Sequence, residues 1–193
     1  MYTHRQVKPQ NNYAFIDSQN LNLGIQKMGW KLDWRKFRQF LADKYGVSKA
    51  YMFIGYMQEN EFLYEQMHDL GYLIVLKPTV ESHAEEKPGD EQHDAKHTEP
   101  EKKTVKGNID ADLVLYALKE MANYDQALIV SGDGDFYTTA EYLISQNKLL
   151  KILAPNWQYS SLLKEFDDHI VRLDQMRKEL AYRNFRKKNQ SNQ

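Results

Sequence analysis

The sequence predicts a three-layer α/β sandwich around a mainly parallel sheet of about five strands. Two observations carry this. Short apolar runs alternate along the chain with segments whose apolar residues recur at helical spacing. The runs are continuous rather than polar–apolar alternations, which suits strands buried on both faces by crossover helices.

Taken in order, YAFID at 13–17 reads as a buried strand ending in an acid. SQNLNLGIQKMGW follows with Leu21, Ile25 and Met28 at helical spacing and Gly29 as its stop. Asp33 caps a helix with Trp34, Phe37 and Leu41 on one face, closed by Gly46. KAYMFIGY at 49–56 is the second strand, 59–70 a helix with Phe62, Met67 and Leu70 inward, and YLIVL at 72–76 the third strand. A helix over 110–123 sets Leu113, Ala117 and Met121 to one side, with Ile109 just before it. QALIVS at 126–131 is the fourth strand, and the GDGD turn leads into a helix through Gln146 with Phe136, Ala140, Leu143 and Ile144 inward. LLKIL at 149–153 is the fifth strand, 159–166 a short helix, 169–173 a short edge segment and 174–188 a basic helix.

The 193 residues, 41% hydrophobic, suit one domain over 13–173, preceded by a polar arm at 1–12. The net charge of −1 conceals an asymmetry. Residues 81–104 carry eight acids against four bases, with two prolines and almost no large apolar side chain, and read as a disordered insertion. Residues 172–193 carry seven bases against two acids, so 174–193 read as a basic helix and tail. The absence of cysteine excludes a disulfide scaffold, a Cys-ligated zinc site and a thiol nucleophile. The longest apolar run, Ala50 to Met57, is far short of the ~20 residues a spanning helix needs. With no apolar leader at the N-terminus, a cytoplasmic protein without membrane contact is expected.

In open parallel sheets ligands bind outside the carboxyl ends of the strands. That edge collects the acids: Asp17 ends the first strand, Asp133 and Asp135 follow the fourth within SGDGDF, and Asp110 opens the helix before it. Carboxylates gathered at one rim repel unless a cation sits among them, and oxygen ligands without sulfur favour Mg²⁺ or Mn²⁺. Such ions activate water for phosphodiester cleavage. The competing reading of Asp17 and Asp135 is a helix cap. Asp112, two residues after Asp110, points some 200° away on a regular helix and is expected in a supporting position only. Gly132 and Gly134 allow left-handed backbone or close approach of a ligand.

Other motifs fail. An EF-hand starting at Asp133 would need an acid where Ile144 stands. Neither G-x-G-x-x-G nor a Walker loop occurs. His93 and His97 have a metal-like spacing but lie in a polar stretch without an apolar helical face.

FIDSQNLN, KGNIDADL and ALIVSGDGDF, in that order over 13–155, resemble the NYN domain, in the LabA-like branch of the PIN-like nuclease superfamily. The resemblance implies a PIN-like Rossmannoid sandwich, bound Mg²⁺ or Mn²⁺, and ribonuclease activity giving 5′-phosphate and 3′-hydroxyl products. Asp17 matches the family's first-strand acid, Asn20 the Asn of its opening motif, Asp110 the mid-chain acid after Lys-Gly, Asp133 and Asp135 the paired acids of the SGDxDF turn, and Ser131 its hydroxyl. The chain departs in reading Asp-Ser-Gln-Asn at the first motif and in placing one extra residue between Lys106-Gly107 and Asp110.

The leading reading is a metal-dependent ribonuclease with Asp17, Asp110, Asp133 and Asp135 as catalytic metal ligands. Asn20, Ser131, Lys106, Arg183, Arg186 and Lys187 would bind substrate, single-stranded RNA, with Tyr182 and Phe185 as stacking rings in the basic segment. The alternative for that segment is a helix packed through Leu180. The alternative for the whole is a non-catalytic RNA-binding or regulatory module on the same fold. An Asp-nucleophile phosphatase is disfavoured because Gln19 stands two residues after Asp17.

Overall fold

A computed structural model describes residues 10–56, 60–77 and 109–183. Its centre is a six-stranded sheet in the order β3-β2-β1-β4-β5-β6, parallel at every pairing. The strands are β1 (Asn12–Asp17), β2 (Val47–Gly55), β3 (Tyr72–Lys77), β4 (Ala127–Val130), β5 (Leu149–Ala154) and β6 (Ile170–Arg172). The helices are α1 (Ser18–Gln26), α2 (Trp34–Tyr45), α3 (Glu61–Asp69), α4 (Ile109–Lys119), α5 (Tyr137–Ser145) and the single turn α6 (Arg177–Leu180). The short edge segment expected at 169–173 is thus a sixth strand, paired with β5 through Ile152–Ile170 and its neighbours.

The pleat explains the layers. Ala14 and Ile16 of β1 join a core with α1, α2 and Leu180, whereas Tyr13 and Phe15 join a second core with Leu113 and Ala117 of α4 and Ala140 and Leu143 of α5. Every residue of β1 and β4 is buried, as their continuous apolar runs require. On the second face Phe15 stacks on Tyr51 with centroids 5.6 Å apart and meets Tyr124 edge-on at 5.8 Å. Phe15→Ala should therefore cost about 3–5 kcal/mol, a large share of a domain's usual stability, read as a lower urea midpoint at unchanged slope.

Two expectations are corrected. Phe62 is 71% exposed, and the buried residues of α3 are Tyr64 and Met67. Tyr64 stands three residues before Met67 and shares its face, whereas Phe62, five residues before it, lies about 140° round the helix. Nor is 174–188 one helix over the described residues. A 3-10 turn at Leu173–Met176 leads to α6, and Ala181 is extended and bridges Leu32 antiparallel. Leu180 is fully buried, Asp33 N donates to Leu180 O, and Tyr182 N donates to Lys31 O. Backbone pairing to the Leu32 segment competes with helix continuation here and wins. The segments at 1–9 and 81–104, His93, His97, Lys106, Phe185, Arg186 and Lys187 lie outside the described residues.

Candidate active site

After β1 the chain builds β2 and β3 on one side and then crosses to β4 on the other. The β1/β4 boundary is the point where strand order reverses, and there adjacent loops diverge and leave a crevice at the carboxyl edge. A cavity of about 430 Å³ opens at that place, lined by Asp17, Asn20, Asp110, Gly132 and Asp133 among others.

Asp17 is buried at the tip of β1 and caps α1: its Oδ1 accepts from Asn20 N at 3.0 Å, and its Oδ2 accepts from Ser131 Oγ at 3.2 Å. The capping reading and the cavity reading of Asp17 thus both hold geometrically. The same Ser131 Oγ accepts from Asp133 N at 3.2 Å, and Asn20 Oδ1 accepts from Gly132 N at 2.9 Å. The first motif and the SGDGDF turn are therefore laced together across β1 and β4, once side chain to side chain and once side chain to backbone. Ser131 is fully buried in this lacing and does not line the cavity.

Asp133 caps the 3-10 turn Gly134–Phe136 through Asp135 N, at 3.1 Å, and lines the cavity. Asp135 is exposed and lies outside the cavity lining, because the tight turn carries it outward. Asp110 lies in the first turn of α4 and reaches the cavity. Asp112 pairs instead with Lys77, Nζ to Oδ2 3.0 Å, as its angular offset predicts. Asp17, Asp110 and Asp133 thus face one cavity, although no group of three His, Asp or Glu side chains among the described residues stands close enough to share a metal ion. In kind, three carboxylates without sulfur fit a hard divalent cation; closing on one would draw Asp110 and Asp133 toward Asp17.

The glycines of the turn serve space rather than left-handed backbone, since neither has a positive φ. A Cβ on Gly132 would meet Tyr159 Cβ at 3.1 Å, and one on Gly134 would strike Ser160.

The far wall of the cavity went unread in the sequence. It consists of one face of α1 (Leu23, Gly24, Lys27) and the turn after β5 (Pro155, Asn156, Gln158, Tyr159). Buried Asn156 donates from Nδ2 to Gly24 O at 2.7 Å and accepts Gln158 N on Oδ1 at 2.7 Å. A Cβ on Gly24 would meet Pro155 Cβ at 2.5 Å, so only glycine lets helix and turn approach this closely. The signal was available: PNWQ follows the fifth strand at the same carboxyl edge as the acids.

A second groove, of about 550 Å³, is lined by Lys31, Arg177, Lys178 and Arg183 with Gly29 and Tyr182. Its first lining residue, Gly29, stands two residues along the chain from Lys27 of the first cavity.

Fold and site together define a parallel α/β domain with a carboxylate cavity at the switch point of its sheet. The chain belongs to the NYN domain family, whose model matches residues 13–174 and whose fold is that of PIN-like nucleases. It is 24% identical over 174 residues to the low amplitude and bright protein LabA of Synechococcus elongatus, covering 88% of this chain and 87% of LabA. Among solved structures it is similar to a protein of unknown function from Vibrio parahaemolyticus, with TM-score 0.66 and 18% identity over 92% of this chain and 99% of that one. At that identity the likeness concerns the fold alone. Among the described residues no helix is long and apolar enough to cross a membrane.

Proposed function

We propose that this chain is a cytoplasmic ribonuclease that cleaves single-stranded RNA with Mg²⁺ or Mn²⁺ held by Asp17, Asp110 and Asp133. The observation that carries the reading is the convergence of these three carboxylates, from distant parts of the chain, on one cavity at the sheet's switch point. Membership of a family with the PIN-like nuclease fold supports it.

A divalent ion there supplies the charge that offsets the phosphate and the acidity that makes water a nucleophile at neutral pH. The chain supplies position. Asp17 is aimed by two hydrogen bonds and by the strand beneath it, so little reorganisation is needed on loading. Asn20, fixed through Oδ1 to Gly132 N, keeps its Nδ2 donors for a phosphate oxygen. Ser131 acts as a positioning residue for Asp17 and Asp133 rather than as a substrate ligand. Asp135 contributes from outside the lining. Lys31, Arg177, Lys178 and Arg183 hold the backbone of the strand as it leaves the cavity, where the counterion release of phosphate contacts favours binding.

The direct experiment is incubation of the protein with generic single-stranded RNA and Mn²⁺ or Mg²⁺, with and without EDTA. Cleavage that EDTA abolishes supports the reading. RNA binding with no cleavage in either ion assigns the chain to a second reading, a binding or regulatory module, which the ungathered state of the carboxylates favours. Within the first reading, Asp110→Asn should lower cleavage on the order of 100-fold, beyond the usual loss for supporting residues of a metal site. Asp112→Asn breaks only a partly exposed ion pair with Lys77 and should change the rate less than about threefold. Equal losses at the two positions would reject Asp110 as the ligand.

A further inference from the structure

The cavity has two unlike ends. Asp17, Asp110 and Asp133 form an acidic end, whereas the α1 face and the turn after β5 offer amides, a lysine and apolar surface. Trp157 stands in that turn, between the lining residues Asn156 and Gln158; it is 58% exposed and lies outside the lining itself, beside the cavity rather than in it. The other two tryptophans are placed differently: Trp30 is 7% exposed, and Trp34 is half-buried against Phe37 and Tyr72.

The turn carrying Trp157 is fastened on both sides. Asn156 binds Gly24 O and Gln158 N, and Gly24 admits Pro155 at van der Waals limits. Ser160 N donates to Gly132 O at 2.9 Å, tying the turn's far side to the SGDGDF segment itself. A large aromatic side chain is thus left in water on a turn hydrogen-bonded to α1 on one side and to the SGDGDF segment on the other. Such a ring loses little freedom on binding, which is the property of an aromatic anchor.

We propose that Trp157 is the stacking platform of a nucleobase subsite. The base of a nucleotide neighbouring the phosphate at the carboxylates lies on the indole, with the exposed Gln158 amide offered to its edge and Lys27 to the next phosphate. The assignment rests on RNA being the substrate of the cavity. The scale agrees: β1 and β5 are separated in the sheet only by β4, so their tips lie about 10 Å apart. Stacking suits a sequence-tolerant site, because every base has a π-face. Lys27 lines the same wall one helical turn beyond Leu23.

The test uses the full chain carrying Asp133→Asn with Mg²⁺ present, so that binding is measured without cleavage. A single-stranded oligouridylate and an abasic oligomer of equal length are titrated, reading tryptophan fluorescence and the anisotropy of a labelled end. The oligouridylate should quench fluorescence and bind more tightly, and the abasic oligomer should do neither. Adding Trp157→Ala should weaken oligouridylate binding about 5- to 100-fold, abolish the quench and leave abasic binding unchanged. Trp157→Phe should restore most of the affinity, which a merely structural role would not produce. Equal affinity for the two oligomers, an equal loss for both on Trp157→Ala, or a change in sedimentation without a change in RNA affinity overturns the proposal. The ribonuclease reading stands or falls separately. Cleavage by the wild-type chain together with equal affinity for the oligouridylate and the abasic oligomer rejects only the stacking subsite; tighter oligouridylate binding and quench without cleavage reject only the nuclease.

Discussion

Asp133→Asn should reduce metal-dependent RNA cleavage by at least about 100-fold while leaving the melting temperature unchanged. Losses of 10- to 100-fold in affinity or activity are usual when a residue merely supporting a metal ligand is changed, and a direct ligand should exceed them. The substitution separates chemistry from folding because of what Asp133 does in the backbone. Its Oδ1 accepts from Asp135 N as the cap of a 3-10 turn, and its own N donates to Ser131 Oγ. Asparagine caps as well as aspartate and keeps both bonds. What it removes is one of three negative charges facing the cavity, with no change of shape. Asp135→Asn, on an exposed side chain outside the lining, should fall well short of this effect. Initial rates in Mn²⁺, set beside a thermal melt of each variant, check the claim. Wild-type cleavage by Asp133→Asn would place the metal elsewhere.

The layers of the fold were legible because burial on both faces leaves a plain trace. YAFID and ALIV are wholly buried strands, and each was read from its continuous apolar run. Strand order was not legible, since it depends on which distant runs pair. The sixth strand was nearly lost because Ile170–Arg172 spans three residues, too few for any periodicity to speak. Phe62 is a different case. It stands five residues from Met67, about 140° round a helix, so the two cannot share the inward face that Tyr64 and Met67 form. The C-terminal segment was misread because its basic composition suits a helix, while the bridge between Leu32 and Ala181 that ends it is a long-range event.

At the site, the acids are legible from one rule, that ligands lie at the carboxyl ends of parallel strands. The same rule covers Asn156 and Gln158, which follow β5 and line the cavity. The rule also could not separate Asp133 from Asp135. They stand two residues apart, and only the 3-10 geometry of Gly134–Phe136 turns one into the cavity and the other into water. Gly132 and Gly134 are expected to allow left-handed backbone or close approach of a ligand; neither has a positive φ, and what each meets at close range is Tyr159 or Ser160 of the same chain.

Asp17 should show the opposite pattern to Asp133, with stability and activity falling together in one variant and apart in another. Asp17→Ala removes the α1 cap, about 1 kcal/mol, and leaves the fully buried Ser131 hydroxyl without its acceptor, about 1–3 kcal/mol more. A loss of about 2–4 kcal/mol is a large part of the stability of a single domain and should appear as a lower urea midpoint. Asp17→Asn keeps a cap oxygen for Asn20 N and turns an amide toward Ser131 Oγ, leaving one donor surplus, so its cost should stay near 1 kcal/mol. Both variants lose the charge that faces the cavity, and both should lose cleavage on the order of 100-fold or more. The comparison is decisive because Asp17 holds two positions at once: a helix cap, which tolerates either oxygen, and a carboxylate lining the cavity, which needs its charge. If Asp17→Asn cleaved like wild type while Asp17→Ala merely unfolded more easily, Asp17 would be a cap and nothing more, and the ribonuclease site would have to be built without it.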